Sequence, residues 1–360
     1  MGGIVLIALL WVLIPAMTAP GNDSFAANLA ESARDHGFGF VVTGLEAVQY
    51  QLSPPTVGGS LDAHQKAALA GDSRPSGASS GDRASAVTLQ APVPPVLTPA
   101  LPGEGDYVSR VLVHGQPAVQ TALLRPDAEH TSYLAGVAWM SSKLLRFEQH
   151  PGASDPGQLT RWNTGPTVPV AERAALVATF NSGFKIQDAG GAYYQNGRTV
   201  GRLTPGAASF VIRKDGTATV AAWGRDAALT PDVVAVRQNL GLLVDGGRLA
   251  KNIDANVLST WGATLGSKTY TWRSGVGVTA AGDIVYVVGD ALSARSLAVL
   301  LQHAGTVRAM ELDINRSWIS FMWYLHTRSA ITPHKIVDFR RPADRYFTVN
   351  SRDFFAVLAR

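Results

Sequence analysis

Two carboxylates, Glu311 and Asp313, close the short apolar run Val307 to Asp313, and no other part of the chain is better suited to chemistry. On the two-residue period of a strand they share a face with small Ala309, while Met310 and Leu312 point into the opposite layer. Two acids at a strand end can divide proton transfer and nucleophilic work between them. In glycoside hydrolysis their separation, about 5 Å or wider, decides between retention and inversion. A strand permits either spacing, so the stereochemical outcome stays open. The competing reading is structural: ion-pair networks also collect acids, and Arg308 and Arg316 are near in sequence.

The elements that must position these acids follow from the flanking pattern. Asp283 to Val288 reads as a strand, and Ser293 to Ala304 reads as a helix with Leu297, Leu300, Leu301 and Ala304 on one side, ended by Gly305. Strand, helix and strand joined by short turns predict a βαβ unit with parallel strands, whose carboxyl end opens onto a crevice. Upstream, the pairs Asn196-Gly197, Asp215-Gly216, Asp245-Gly246 and Ala281-Gly282 are hairpin signals. They bracket strands such as Ser209 to Arg213, Thr217 to Ala221 and Leu240 to Val244. Asp215 and Asp245 read as turn formers, not catalysts. The predicted class is α+β, a mixed sheet with antiparallel hairpins and a C-terminal βαβ unit.

A second apolar strand, Leu176 to Phe180, runs into Asn181-Ser182-Gly183-Phe184-Lys185, and further on come Arg273-Ser274-Gly275-Val276-Gly277 and then Leu312-Asp313 with Ser317. In this order, over roughly residues 107 to 325, the chain resembles the phosphodiester glycosidase family, which includes the uncovering enzyme that removes N-acetylglucosamine from a sugar phosphodiester. The resemblance implies a hydrolase with a carbohydrate or glycosyl phosphodiester substrate and places the family's acid at Asp313 and its arginine at Arg273. Glu311 as a second catalytic acid is a local reading. Because a phosphodiester is already a weakly basic leaving group, cations matter more than protonation, and Arg273, Lys185 and Arg316 are the candidate phosphate ligands. Asn181, Gly183, Asn315 and Ser317 complete the candidate substrate-binding set, with an Asx turn as the alternative role of Asn181. Trp261, Trp272, Trp318 and Trp323 could cover apolar sugar faces or fill the core.

One departure is plain. The family form reads nearer Asn-Leu-Asp-Gly-Gly-Gly-Ser, whereas here Glu311 replaces Asn and Ile314-Asn315-Arg316 replace three glycines, which removes their permissive φ and clearance. A non-catalytic glycan-binding module of the same fold is therefore the second reading.

The chain has 360 residues, 46% hydrophobic and 16% charged, enough for one sizeable core with appendages. The absence of cysteine excludes disulfides and thiolate chemistry, and a net charge of +4 without a basic block argues against nucleic acid. The Gly-x-Ser-x-Gly match Gly77 to Gly81 falls in the Pro/Gly/Ser/Ala-rich stretch, without the strand and helix that make a nucleophile elbow, and no P-loop is present. His303, His326 and His334 lack ligand-like spacing, so neither a metal nor a cofactor is expected. Residues 1–20, uncharged and apolar, predict a membrane anchor or signal segment and an extracytoplasmic location. A short juxtamembrane segment (21–52) and a Pro/Gly/Ser/Ala-rich linker (53–105) would then lead to a domain over 106–360 that folds without them.

Overall fold

The computed structural model describes residues 2–18, 25–33, 36, 38, 54–71, 88–157, 162–255, 260–262 and 269–360. Antiparallel β-sheet dominates, in three sheets. The first runs β1 (Val108–Val113), β2 (Gln116–Leu124), β3 (Ala135–Met140), β14 (Ile284–Leu292), β13 (Thr271–Thr279), β15 (Thr306–Glu311), β11 (Leu242–Asp245) and β12 (Arg248–Leu249). The second runs β7 (Arg198–Gly201), β6 (Ala192–Gln195), β10 (Val233–Gln238), β8 (Ala208–Arg213) and β9 (Ala218–Ala222). The third runs β17 (Ile331–Lys335), β16 (Phe321–His326), β5 (Leu176–Asn181), β18 (Phe354–Ala359) and β4 (Leu145–His150). The α-helices among the described residues are α1 (Gly2–Thr18), α2 (Phe25–Ala33), α3 (Ala63–Gly71), α4 (Ile186–Ala189) and α5 (Ala294–His303).

The turn chemistry sets the hairpins. Asn196 (φ 46°) and Gly197 (φ 85°) join β6 to β7, both in the left-handed region that a tight two-residue connection requires. Asp215-Gly216 and Ala281-Gly282 lie between β8 and β9 and between β13 and β14, while Asp245 ends β11 and Gly246 turns the chain toward β12.

The last of these hairpins changes the predicted βαβ unit. Helix α5 does connect β14 to β15, and a reciprocal Ser293–Ser296 capping box starts it. The two strands, however, are not neighbours: β13 lies between them, antiparallel to both. The local turn closes β13 onto β14, so the chain must cross β13 to find a free sheet edge. Helix α5 buries Leu297, Leu300 and Leu301 on the way, and Gly275 makes the crossing close: a Cβ there would meet Leu301 Cδ1 at 3.0 Å and the Met310 carbonyl oxygen at 2.9 Å. The Gly-x-Gly of β13 thus serves packing.

One core joins the three sheets. Phe355 of β18 lies 5.1 Å from Phe180 of β5 and 4.6 Å from Phe210 of β8, and Tyr286 of β14 lies 5.4 Å from Phe180, measured between ring centroids. A second core fills the space between α5 and the first sheet.

The membrane anchor expected over residues 1–20 has no support in the structure. Among the described residues no helix is long and apolar enough to cross a membrane. Helix α1 has 17 residues with Pro15 inside it, about 25 Å of rise against a hydrocarbon core of about 30 Å. It packs on α2, where the Ser32 hydroxyl donates to the Val12 carbonyl at 2.8 Å. In its described parts, the segment expected as an extended linker lies against the domain. Val93 is buried with Tyr107 and Leu124, Gln90 N–H donates to Gln120 Oε1 at 2.9 Å, and Thr56 N–H donates to the Tyr133 hydroxyl at 3.1 Å. Apolar anchors at Leu61, Leu69 and Val93 explain why this stretch is held despite its composition. Residues 39–53 and 72–87 fall outside the described set.

Candidate active site

The three sequence motifs, far apart in the chain, meet at the hydroxyl of Ser274 on β13. Ser274 Oγ donates to the Asp313 carbonyl at 3.2 Å and accepts from Asp313 N–H at 3.2 Å and from Asn181 Nδ2 at 3.0 Å. The hydroxyl's one donor and two acceptor positions are all used. Backbone bonds Ser274 N–H to the Asp313 carbonyl (2.9 Å) and Leu312 N–H to the Ser274 carbonyl (2.8 Å) fix the strand end in register.

Asn181 is also fully employed. Its amide donates to the Ser182 carbonyl (2.8 Å) as well as to Ser274, and its Oδ1 accepts from the Tyr286 hydroxyl (2.7 Å) and Ser320 N–H (3.1 Å). This residue, predicted to touch sugar or to make an Asx turn, instead locks β5 to β13 and β14 in a buried network. Gly183 has a steric reason: a Cβ there would stand 3.0 Å from Asn239 Cγ. Asn239 in turn donates to the carbonyls of Glu311 and Leu312, both at 2.8 Å, and so holds the end of β15.

Beyond this scaffold the two acids part company. Glu311 is wholly buried and pairs with Arg273 at 2.5 Å, not with Arg308 or Arg316. Arg273 spreads its remaining donors over the carbonyls of Leu292 (2.9 Å), Trp261 (3.1 Å) and Thr269 (3.3 Å). Burial pushes the Glu311 carboxyl above the usual range, against the pull of Arg273. Both side chains belong to the scaffold behind β13, so the predicted phosphate ligand and the predicted second acid neutralise each other.

Asp313 lies just past the last residue of β15 and meets a different arginine. Its Oδ2 is 3.9 Å from Arg352 Nη2, and its Oδ1 accepts from Asn315 N–H at 2.8 Å. Arg352 also donates to the Gly183 carbonyl at 3.1 Å and stands 3.6 Å from Asp155. The register of β18 against β5 puts it there, since Phe354 pairs with Asn181. Next to it Asp353 forms a fully buried pair with Arg237 of β10 at 2.8 Å. Asp155 accepts from Ile186 N–H, the first residue of α4, at 3.2 Å. Burial raises the Asp155 carboxyl above its ordinary value, although Arg352 pulls it down. Asp155, Asp313, Asp353, Arg237 and Arg352 thus alternate in charge around the Ser182-Gly183-Phe184 loop.

The Ile314–Ser317 loop shows how the missing glycines are replaced. Asp313 Oδ1 takes Asn315 N–H, and Asn315 Oδ1 takes Ser317 N–H at 2.9 Å, two successive side-chain turns that need no left-handed residue. Ser317 is half-buried and its carbonyl accepts from Arg341 Nε at 2.6 Å. Trp318 follows, buried among three guanidinium groups: Arg341 at 4.7 Å, Arg352 at 5.5 Å and Arg345 at 5.9 Å from the ring centre. Arg316 is exposed and lies 5.7 Å from the Trp272 ring, whereas Lys185 caps α4 beside the Gly183 loop. Trp261 is held by its Nε1–H on the Asn252 carbonyl, and Trp323 stacks on His334.

Sequence reasoning missed Asp155, Arg237, Asn239, Arg341, Arg345, Arg352 and Asp353. A weak signal existed in Arg352-Asp353, charges placed directly before the apolar strand Phe354–Ala359.

Comparison with known proteins bears on this assembly. Residues 173–313 match the phosphodiester glycosidase family. The matched segment contains Asn181, Gly183, Arg237, Arg273, Ser274 and Glu311 and ends at Asp313; the arginines around Trp318 lie beyond it. In fold, the chain is similar to the catalytic domain of zebrafish N-acetylglucosamine-1-phosphodiester alpha-N-acetylglucosaminidase auto-inhibited by pro-peptide. That likeness has 15% identity and a TM-score of 0.45, and it covers 71% of this chain and 88% of that one. A hypothetical protein from Synechocystis is also similar, at 13% identity and a TM-score of 0.39, over 71% of this chain and 64% of that one. No curated protein matches the sequence.

Proposed function

We propose that the chain hydrolyses a glycosyl phosphodiester, with Asp313 as the reacting carboxylate and arginines near Trp318 as the phosphate site. The match to a family of hydrolases supports a glycosidase and hence a carbohydrate substrate. The observation that carries the reading is the contrast in pairing. Asp313 stands 3.9 Å from Arg352 in an array of alternating acids and arginines beside the Gly183 loop, whereas Glu311 pairs with Arg273 at 2.5 Å among backbone carbonyls.

In this reading Asp313 faces the oxocarbenium-like centre, and Asp155 on the other side of Arg352 is the second carboxyl in place of Glu311. Its raised pKa suits a proton donor. Arg352, with Arg341 and Arg345, supplies planar donors and positive charge for the departing phosphate. Asp313 is 3% exposed, so substrate reaches it only after neighbouring side chains swing aside. An extracytoplasmic location, with envelope glycans or glycolipids as the substrate class, belongs to the same proposal and rests on the uncharged apolar N-terminal run.

Release of the chromophore from a chromogenic sugar 1-phosphodiester tests the activity. Turnover that disappears in Asp313→Asn while folding is retained is the expected result. The non-catalytic glycan-binding alternative is favoured by the replaced glycines. Saturable binding without turnover in a pure, folded sample would select it.

A further inference from the structure

Strand β4, at the edge of the third sheet, carries Glu148 and His150 two residues apart, and the 3-10 turn Val170–Ala175 brings Glu172 against them. One donor atom from each, a carboxylate oxygen of either glutamate and a ring nitrogen of His150, lies within 4.8 Å of the others. Ligands bound to one tetrahedral ion at about 2.0–2.2 Å stand about 3.3–3.6 Å apart, so side-chain adjustments of about 1 Å would close the set.

The state of His150 points the same way. Its side chain is fully buried, stacked on Phe354 with ring centres 4.7 Å apart. Nδ1 lies 2.9 Å from the Gly165 carbonyl, which can only accept, so Nδ1 carries the proton and the lone pair sits on Nε2. Nε2 is buried without a hydrogen-bond partner. The carboxylate oxygen Oε2 of Glu148 lies 3.9 Å from it, beyond hydrogen-bond reach. Glu172 Oε2 is likewise buried and unpartnered. Glu148 has its other oxygen on Arg146, which orients Oε2 toward the histidine.

A buried lone pair facing carboxylate oxygens, with no donor between them, is unfavourable as it stands. A cation satisfies all three groups together. A histidine that gives its other N–H to a backbone carbonyl and a carboxylate oriented by an arginine are both supports that metal ligands use.

We propose that Glu148, His150 and Glu172 bind one divalent transition-metal cation, with water filling the remaining positions. One imidazole and two carboxylates suit zinc, manganese or cobalt better than calcium, which takes oxygen ligands only. The ion would pin the 170–175 turn, which leads directly into β5 and Asn181, to β4. The inference does not depend on the glycosidase reading.

Calorimetric titration of the chelator-treated full chain with zinc chloride tests it. One saturable equivalent is expected, with affinity reduced at least about tenfold in Glu172→Gln and in Glu148→Gln, both near-isosteric. Cobalt chloride should give visible absorption bands that His150→Gln removes. Circular dichroism identifies the variants that remain folded. No saturable binding by the parent chain, or equal affinity in the parent and every folded variant, overturns the proposal.

Discussion

Glu311 and Asp313 stand two residues apart at one strand end, yet one lies behind β13 with its carboxylate on Arg273, and the other lies before the Gly183 loop beside Arg352. Around Glu311 each arginine nitrogen already donates to a carbonyl or carboxylate, and Gly275 and Gly277 let α5 and β15 close over the region. Around Asp313, acids and arginines alternate: Asp155, Asp313 and Asp353 with Arg237 and Arg352. A tight, carbonyl-anchored pair reads as scaffold. An array of like and unlike charges can exchange an internal partner for a ligand.

The scaffold half of this comparison breaks first at Glu311. Replacing it in Glu311→Gln leaves Arg273 charged, buried and without its carboxylate, a change expected to cost about 3–5 kcal/mol in denaturant unfolding. Turnover per folded molecule should stay near wild type. A variant as stable as the parent would show that this pair is not the scaffold it is taken to be.

Asn181→Ala should cost somewhat less, about 2–3 kcal/mol, because it leaves Ser320 N–H without its acceptor and takes one bond each from the Tyr286 and Ser274 hydroxyls in a buried site. Thermal and urea unfolding read this directly. If stability holds but sugar affinity falls, Asn181 belongs with the ligand and not with the lock.

A third tight pair sharpens the contrast through pH. Burial alone would raise the Glu104 carboxyl, but hydrogen bonds from the Arg125 side chain and from the backbone N–H groups of Leu101 and Arg125 hold it below its ordinary 4.5. Because the unfolded chain then binds the proton more readily, the stability Glu104 adds is fully present above about pH 4.5 and is lost as pH falls through the lower folded value. Unfolding free energy followed from pH 6 to pH 3 should fall less steeply in Glu104→Gln. An unchanged acid limb would contradict the pairing and, with it, the attachment of residues 88–105 to the domain.

How much could be read beforehand divides along the same line. Hairpin turns at Asn196-Gly197 and Ala281-Gly282, helix α5 and strands β5 and β15 were legible, because periodicity and left-handed turn residues are local signals. The insertion of β13 between β14 and β15 was not, since strand order depends on contacts between residues distant in sequence. Asp313 could be singled out, and so could the motif containing Ser274. Nothing local, however, distinguishes an arginine bound for a buried pair with Glu311, such as Arg273, from one beside Asp313, such as Arg352. Alternation also failed at the strand end: Glu311 keeps the β15 period, but Asp313 follows the last paired residue and turns to a different partner. The attachment of Val93 and Glu104 was hidden by composition, which averages over the few residues that anchor a Pro-rich stretch.

The central claim is that Asp313, and not Glu311, carries the chemistry, and one paired measurement tests it: turnover of a chromogenic sugar 1-phosphodiester by Asp313→Asn and Glu311→Gln, each normalised to folded protein. The account predicts a loss of at least about two orders of magnitude in Asp313→Asn with its melting temperature unchanged, and near-normal turnover in whatever fraction of Glu311→Gln folds. Wild-type turnover by a stable Asp313→Asn would contradict it and move the active site elsewhere.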